Sequence, residues 1–350
     1  MYEQEAAALW DALRAGSEDA LWRVKWEHPR FEGQSLQDVR NATLQLADAR
    51  TVIAREHAFE SWPALVAFTR AVASDPAVIE FEAAADAIID GDVATLQTML
   101  ARNGGLAQAR STRAHRATLL HYIAANGVEG ARQRVPHNAV DVARTLLDAS
   151  AEADALADMY GAECTTMSML VSSSHPAEAG VQAPLAELLL DYGAAIDGAG
   201  TKWVSPLLTA LTFGYLQTAE VLAACGASIS FETAAGLGRV DDVARLLSAA
   251  DARSRHVALA LAAQHGHSAI VELLVRSGED PNRFNPDGFH AHTTPLHQAV
   301  WAGQMAVVRT LVDLGARLDV RDTIYSGTPL EWAVHGGRTA IEEFLRERGG

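Results

Sequence analysis

Thr294-Pro295-Leu296-His297-Gln298-Ala299-Val300-Trp301-Ala302-Gly303 is the stretch on which the fold turns. A turn and an apolar helix follow it, closing at Leu314-Gly315-Ala316-Arg317-Leu318-Asp319. The same unit returns in degraded form at Thr118-Leu119-Leu120-His121, Ser205-Pro206-Leu207-Leu208 and Thr328-Pro329-Leu330-Glu331. A helix pair recurring about every 33 residues cannot bury its own apolar face, so its neighbours must stack on it. Working outward, glycines that end an inner helix fall at Gly91, Gly127, Gly214, Gly238, Gly266, Gly303 and Gly336, with a degenerate turn near Ser174. That spacing gives roughly eight units. Outer helices are expected over stretches such as Val93–Leu100, Val140–Leu147, Val240–Leu247 and Val307–Val312, where apolar residues recur at helical spacing.

The Thr-Pro-Leu-His unit resembles the ankyrin repeat. The resemblance runs from near Phe81 to the C-terminal end and is most specific in its later half. It implies an all-α ankyrin-repeat solenoid of helix-turn-helix units joined by short hairpin fingers, over residues 79–350. Residues 1–78 do not carry the pattern. They read as a small helical unit: Glu3–Ala15, a Ser17-capped helix carrying Trp22 and Trp26 and ending at His28-Pro29, then Leu44–Phe59 and a helix from Ser61-Trp62-Pro63 to Ala73. His28-Pro29-Arg30-Phe31, Ala54-Arg55-Glu56-His57 and Ser61-Trp62-Pro63 resemble a piece found ahead of the repeats in many bacterial ankyrin proteins. That likeness implies a capping or docking unit.

Composition narrows the partner. The formal charge is −16 and only Lys25 and Lys202 are lysines, so no basic stripe exists to neutralise a nucleic-acid backbone. No apolar run approaches the ~20 residues that cross a bilayer. Two cysteines, Cys164 and Cys225, are too few for a disulfide framework. Met1 leads into Glu3 and Glu5 with no secretory pattern, so a cytoplasmic location is expected, without nucleic acid or membrane as partner.

Departures from the repeat mark the candidate sites. The second unit inserts Val128–His137 between its helices and the third inserts His175–Val181, and the two are expected side by side on one edge. With the inner helix of the third unit they offer Arg132, Arg134, His137, Ser168, Ser172, His175 and Glu178 as pocket candidates, because loops on a rigid scaffold often carry function. The finger Asn282–Thr293 is longer than its neighbours, leaving a notch in the rim. If it is extended, His290 and His292 share a face and form a Zn²⁺ or Fe²⁺ site with Glu331, or with Asp322. His121 and His297 are expected to tie neighbouring loops. Tyr160, Trp203, Trp301, Tyr325 and Trp332 are the expected partner contacts, since Trp and Tyr bury much area at low entropy cost.

Two functions compete on this reading. The first is an interaction scaffold that binds a protein or peptide through its groove and fingers, with no cofactor. The second is a metal-dependent enzyme or small-molecule sensor built on His290, His292 and the paired insertions. No P-loop, Rossmann glycine pattern, nucleophile elbow or zinc-protease motif supports catalysis, so the first reading leads.

Overall fold

A computed structural model describes residues 2–203 and 205–350 of the chain. Helix pairs repeat along it, and the only paired strands among the described residues are Ala157–Met159 and Ala162–Cys164, a hairpin finger. The chain divides into two compact units, residues 1–203 and 204–350.

The first unit opens with the helices Tyr2–Arg14, Glu18–Glu27, Leu36–Asn41, Leu46–Glu56 and Trp62–Ser74. Ser17 and Ser61 cap as the sequence suggests, each accepting a hydrogen bond from the backbone three residues on. The six-residue helix Leu36–Asn41 has no counterpart in the sequence reading. It is too short to show a period and is held by a capping box in which Ser35 and Asp38 satisfy each other's backbone N–H. These helices share a core of their own, with Leu9, Val24, Val39, Val52, Ile53 and Leu65 almost wholly buried.

That core does not end the unit. Ala114 donates its N–H to the Ala58 carbonyl at 3.0 Å, and the Arg113 guanidinium lies 4.3 Å from the centre of the Phe68 ring. The N-terminal helices and the first three repeats are therefore compact together, within the unit that runs to residue 203.

Repeats one to three pair Pro76–Asp90 with Val93–Arg102, Leu119–Ala124 with Ala139–Asp148, and Thr166–Leu170 with Gln182–Asp191. The second inner element is a 3₁₀ helix, ended by Ala125 at φ 48°. In the third repeat the helix stops at Leu170 and a separate short helix, Ser174–Glu178, follows, so Cys164 to His175 is not one helix.

The second unit holds five more pairs, from Pro206–Thr212 with Leu216–Ala224 to Pro329–His335 with Thr339–Glu347. Phe231, Leu259, Ile270, Leu296, Val307 and Ile341 belong to one apolar cluster running through four of the pairs, which is how stacked repeats hide faces they cannot cover alone. Thr294 and His297 show how one inner helix is started and tied to the next finger. The Thr294 N–H and hydroxyl meet His297 Nδ1 at 3.3 and 2.8 Å, so Nδ1 accepts and Nε2 carries the proton. Nε2 then donates to the Gly327 carbonyl of the next finger at 3.2 Å. His121 repeats the arrangement between Thr118 and the Cys164 carbonyl, and burial lowers its pKa to about 4, keeping it neutral. No helix among the described residues is long and apolar enough to cross a membrane.

Candidate functional site: an aromatic groove in the second unit

The residues singled out in the sequence divide into groups with different fates. Arg132 is the clearest reversal. It lies in the Val128–His137 insertion, yet its guanidinium turns onto the preceding inner helix and meets Glu82 at 2.6 Å, Asp86 at 2.6 Å and Glu129 at 3.0 Å. Arg113 joins the same cluster through Glu82 and lies 2.9 Å from Glu129, close enough to pair although not aligned as a hydrogen bond. Burial works to raise the Glu129 pKa, but the His115 ring 3.4 Å away and the charges of Arg113 and Arg132 outweigh it and hold the carboxyl at about 2. Arg132 is therefore committed to structure.

Arg134 pairs with Asp90 in the open. Ser168 and Ser172 are buried, and each hydroxyl donates to a carbonyl three or four residues back, which removes them as ligand donors. His137, His175 and Glu178 are exposed. The contacts of the first insertion run to the preceding repeat, through Asp86, Asp90 and the Gly91 carbonyl, which Asn138 reaches at 2.9 Å.

The metal arrangement is not assembled. The finger around His290 is a turn and not an extended segment: His290 has φ 58° and its carbonyl accepts from the Thr293 N–H at 2.9 Å. His290 Nε2 is spent on the Thr212 carbonyl at 3.0 Å, and its ring centre lies 6.2 Å from that of His292. Glu331 accepts from the Thr328 N–H at 2.7 Å and from Arg321 at 3.0 Å. Asp322 is turned to the finger backbone. Among the described residues no three histidine, cysteine or carboxylate side chains are placed to hold a metal ion.

The five aromatics fall into two sets. In the first unit Tyr160 lies against Trp203 with ring centres 5.5 Å apart, at φ 51° for both residues. Trp301, Tyr325 and Trp332 come together in the second unit, around a groove of about 780 Å³, within the ordinary range for ligand sites. Its floor is the inner helices Pro295–Trp301 and Pro329–His335, and its rim is the fingers carrying His290, His292, Tyr325 and Ser326. The rings form a continuous wall. Trp301 meets Trp332 edge to face at 5.8 Å and stacks on His335 at 6.2 Å, while His292 lies 6.1 Å from Trp332. Trp301 is 47% exposed and Tyr325 68% exposed, so both rings face solvent.

Asp322 fixes this geometry. It is 2% exposed and accepts four hydrogen bonds, from the N–H groups of Ile324 (2.9 Å), Tyr325 (2.7 Å) and Gly327 (2.8 Å) and from Trp332 Nε1 (2.9 Å). One carboxylate thus folds the finger and aims the indole.

Gln298, Arg321 and His335 line the groove and were not foreseen. Gln298 stands three residues before Trp301 and His335 three after Trp332, so helical spacing from the two tryptophans points to both. A second, smaller basin of about 390 Å³, which includes Phe213, Gln264 and Arg338, shares His290, Gln298 and Trp301 with the first.

Helix pairs stacked side by side, two of them started by Thr-x-x-His turns, and joined by fingers define the class as a helical-repeat protein. The model for ankyrin repeats in three copies matches residues 231–322. Human cyclin-dependent kinase inhibitor 2A is 32% identical over 124 residues, covering 34% of this chain and 76% of that protein. Alpha-latrotoxin-Lg1a of Latrodectus geometricus is 33% identical over 90 residues, 25% of this chain but 6% of the toxin's length. Among solved structures, the human ASB11 ankyrin repeat domain aligns with a TM-score of 0.41 at 20% identity, over 76% of this chain and 97% of that one. The chain belongs to the ankyrin-repeat family. Ankyrin repeats in general mediate protein–protein interaction.

Proposed function

We propose that the protein is an interaction module whose docking face for a peptide segment of a protein partner is the groove formed by Trp301, Tyr325 and Trp332. The observation that carries this reading is the wall of solvent-facing rings around a 780 Å³ groove. Exposed aromatic anchors set into a preformed pocket are where binding energy concentrates in protein interfaces. The kinase partner in the name of one relative is in keeping with it. The helices up to Ser74 act as a capping or docking unit, supported by their separate core. Two unpaired cysteines, one of them exposed, suit a reducing compartment such as the cytoplasm.

Selection of a displayed random heptapeptide library against the full chain tests this reading. Clones are expected to bind saturably at one site and to lose about tenfold or more in affinity when Trp301 is changed to Leu, a loss of at least ~1.4 kcal/mol. Clones that bind the wild type and the W301L chain equally would place the docking face elsewhere.

A further inference from the structure

The groove has a chemical bias as well as a shape. Two of its side-chain acceptors carry no bond among the described residues. Gln298 gives its amide N–H to the Thr293 hydroxyl at 2.8 Å, which leaves its carbonyl oxygen without a partner. His290 Nε2 faces the Thr212 carbonyl, which can only accept, so in the neutral ring Nδ1 is a bare lone pair. The indole N–H of Trp332, a donor that could have met a ligand, is consumed by Asp322.

The charges around the wall are those of Arg321, Glu331 and Asp322, with Arg338 held on the Trp301 carbonyl at 2.7 Å. Arg321 is balanced by Glu331 at 3.0 Å and also donates to the Ser326 carbonyl. Asp322 takes its four hydrogen bonds from N–H groups and forms no ion pair among the described residues, so its negative charge lies directly behind the Trp332 ring. A carboxylate that accepts an indole N–H pushes electron density into the ring and makes its face more negative, which strengthens attraction for a cation. Burial lowers the His292 pKa, so this ring adds no positive charge near neutral pH.

We propose that the groove selects the planar guanidinium of an arginine in the partner peptide, stacked on the Trp332–Trp301 wall and donating to the Gln298 carbonyl oxygen and His290 Nδ1. The assignment rests on the docking reading above and names what that site recognises. An apolar side chain would bury those two acceptors without donors, which is costly. A lysine ammonium is a strongly hydrated point charge with no plane to stack, whereas guanidinium stacks and presents a fork of five N–H donors.

The test begins with the heptapeptides selected on the full chain. Those that depend on Trp301 are sequenced, and representatives are synthesised with each arginine replaced in turn by citrulline, its uncharged isostere. Arginine is expected at one fixed position, with a loss of tenfold or more for citrulline there and no loss elsewhere. Because that change is made in the peptide, the result is independent of any effect on folding. A fixed apolar or acidic anchor, or citrulline binding as well as arginine, overturns the arginine assignment and leaves the docking face standing. Finding no Trp301-dependent peptide at all removes both.

Discussion

Glu129 is a buried carboxylate enclosed by basic side chains. It is 2% exposed, accepts from the Tyr122 hydroxyl at 3.2 Å and faces Arg113, Arg132 and His115. A buried carboxylate is tolerated only when cations and donors replace its water, and removing it strands the cations in turn. Replacement of Glu129 by Gln is expected to cost about 3 kcal/mol in urea denaturation. The pH dependence follows from the lowered pKa. The unfolded group titrates near its ordinary 4.5 and the folded one near 2, so its stabilisation is complete above pH 4.5 and declines as pH falls toward 2. Wild-type stability should fall more steeply over that window than stability of the Gln variant; parallel curves would show that the pairing contributes nothing. Gly127 is a second exacting position, at φ 72°, where an added Cβ would stand 2.5 Å from the Met159 sulfur. Backbone strain alone predicts that Gly127→Ala costs about 1–3 kcal/mol, measured by the same denaturation.

At the scale of an element, the finger Thr323–Gly327 has Asp322 as its fold-determining residue. Its carboxylate collects three backbone N–H groups that a short loop cannot satisfy by itself, and it also holds the Trp332 indole. Asp322→Ala should speed hydrogen exchange across residues 323–327 and cost about 2 kcal/mol, the desolvation of donors left without partners. Unchanged exchange in that segment would mean the finger is held by other contacts. The long finger at residues 285–293 shows why such elements resist reading from sequence. Alternation in His290-Ala291-His292 suggests a strand, but the bond from Thr293 N–H to the His290 carbonyl closes a turn, and the two histidines separate into different tasks. The insertion Val128–His137 is similar: its position in the chain is plain, while its direction is set by Asp86 and Asp90.

At the scale of the whole molecule, the two compact units should respond separately to damage in one of them. Leu296 is 1% exposed within the second unit's core. Leu296→Ala should destabilise that unit by about 2–5 kcal/mol, with lost exchange protection confined to residues after 203. Protection lost equally over residues 2–203 would show that the units unfold as one. Most of the architecture could be read in advance because its signals are local. The Thr-Pro-Leu-His turn, the helical period and the terminating glycines all act within a few residues, so the sequence by itself determined the ankyrin repeats, their number and their helix pairs. Tertiary structure alone decided which polar side chains remain free to bind. Arg132 is taken by Glu82, fifty residues away in sequence, and His290 by the Thr212 carbonyl, seventy-eight residues away. Trp301, Tyr325 and Trp332 become one groove only when two repeats and their fingers meet. A hydrogen bond consumes a donor wherever its partner lies along the chain, and no periodicity records a partner that distant.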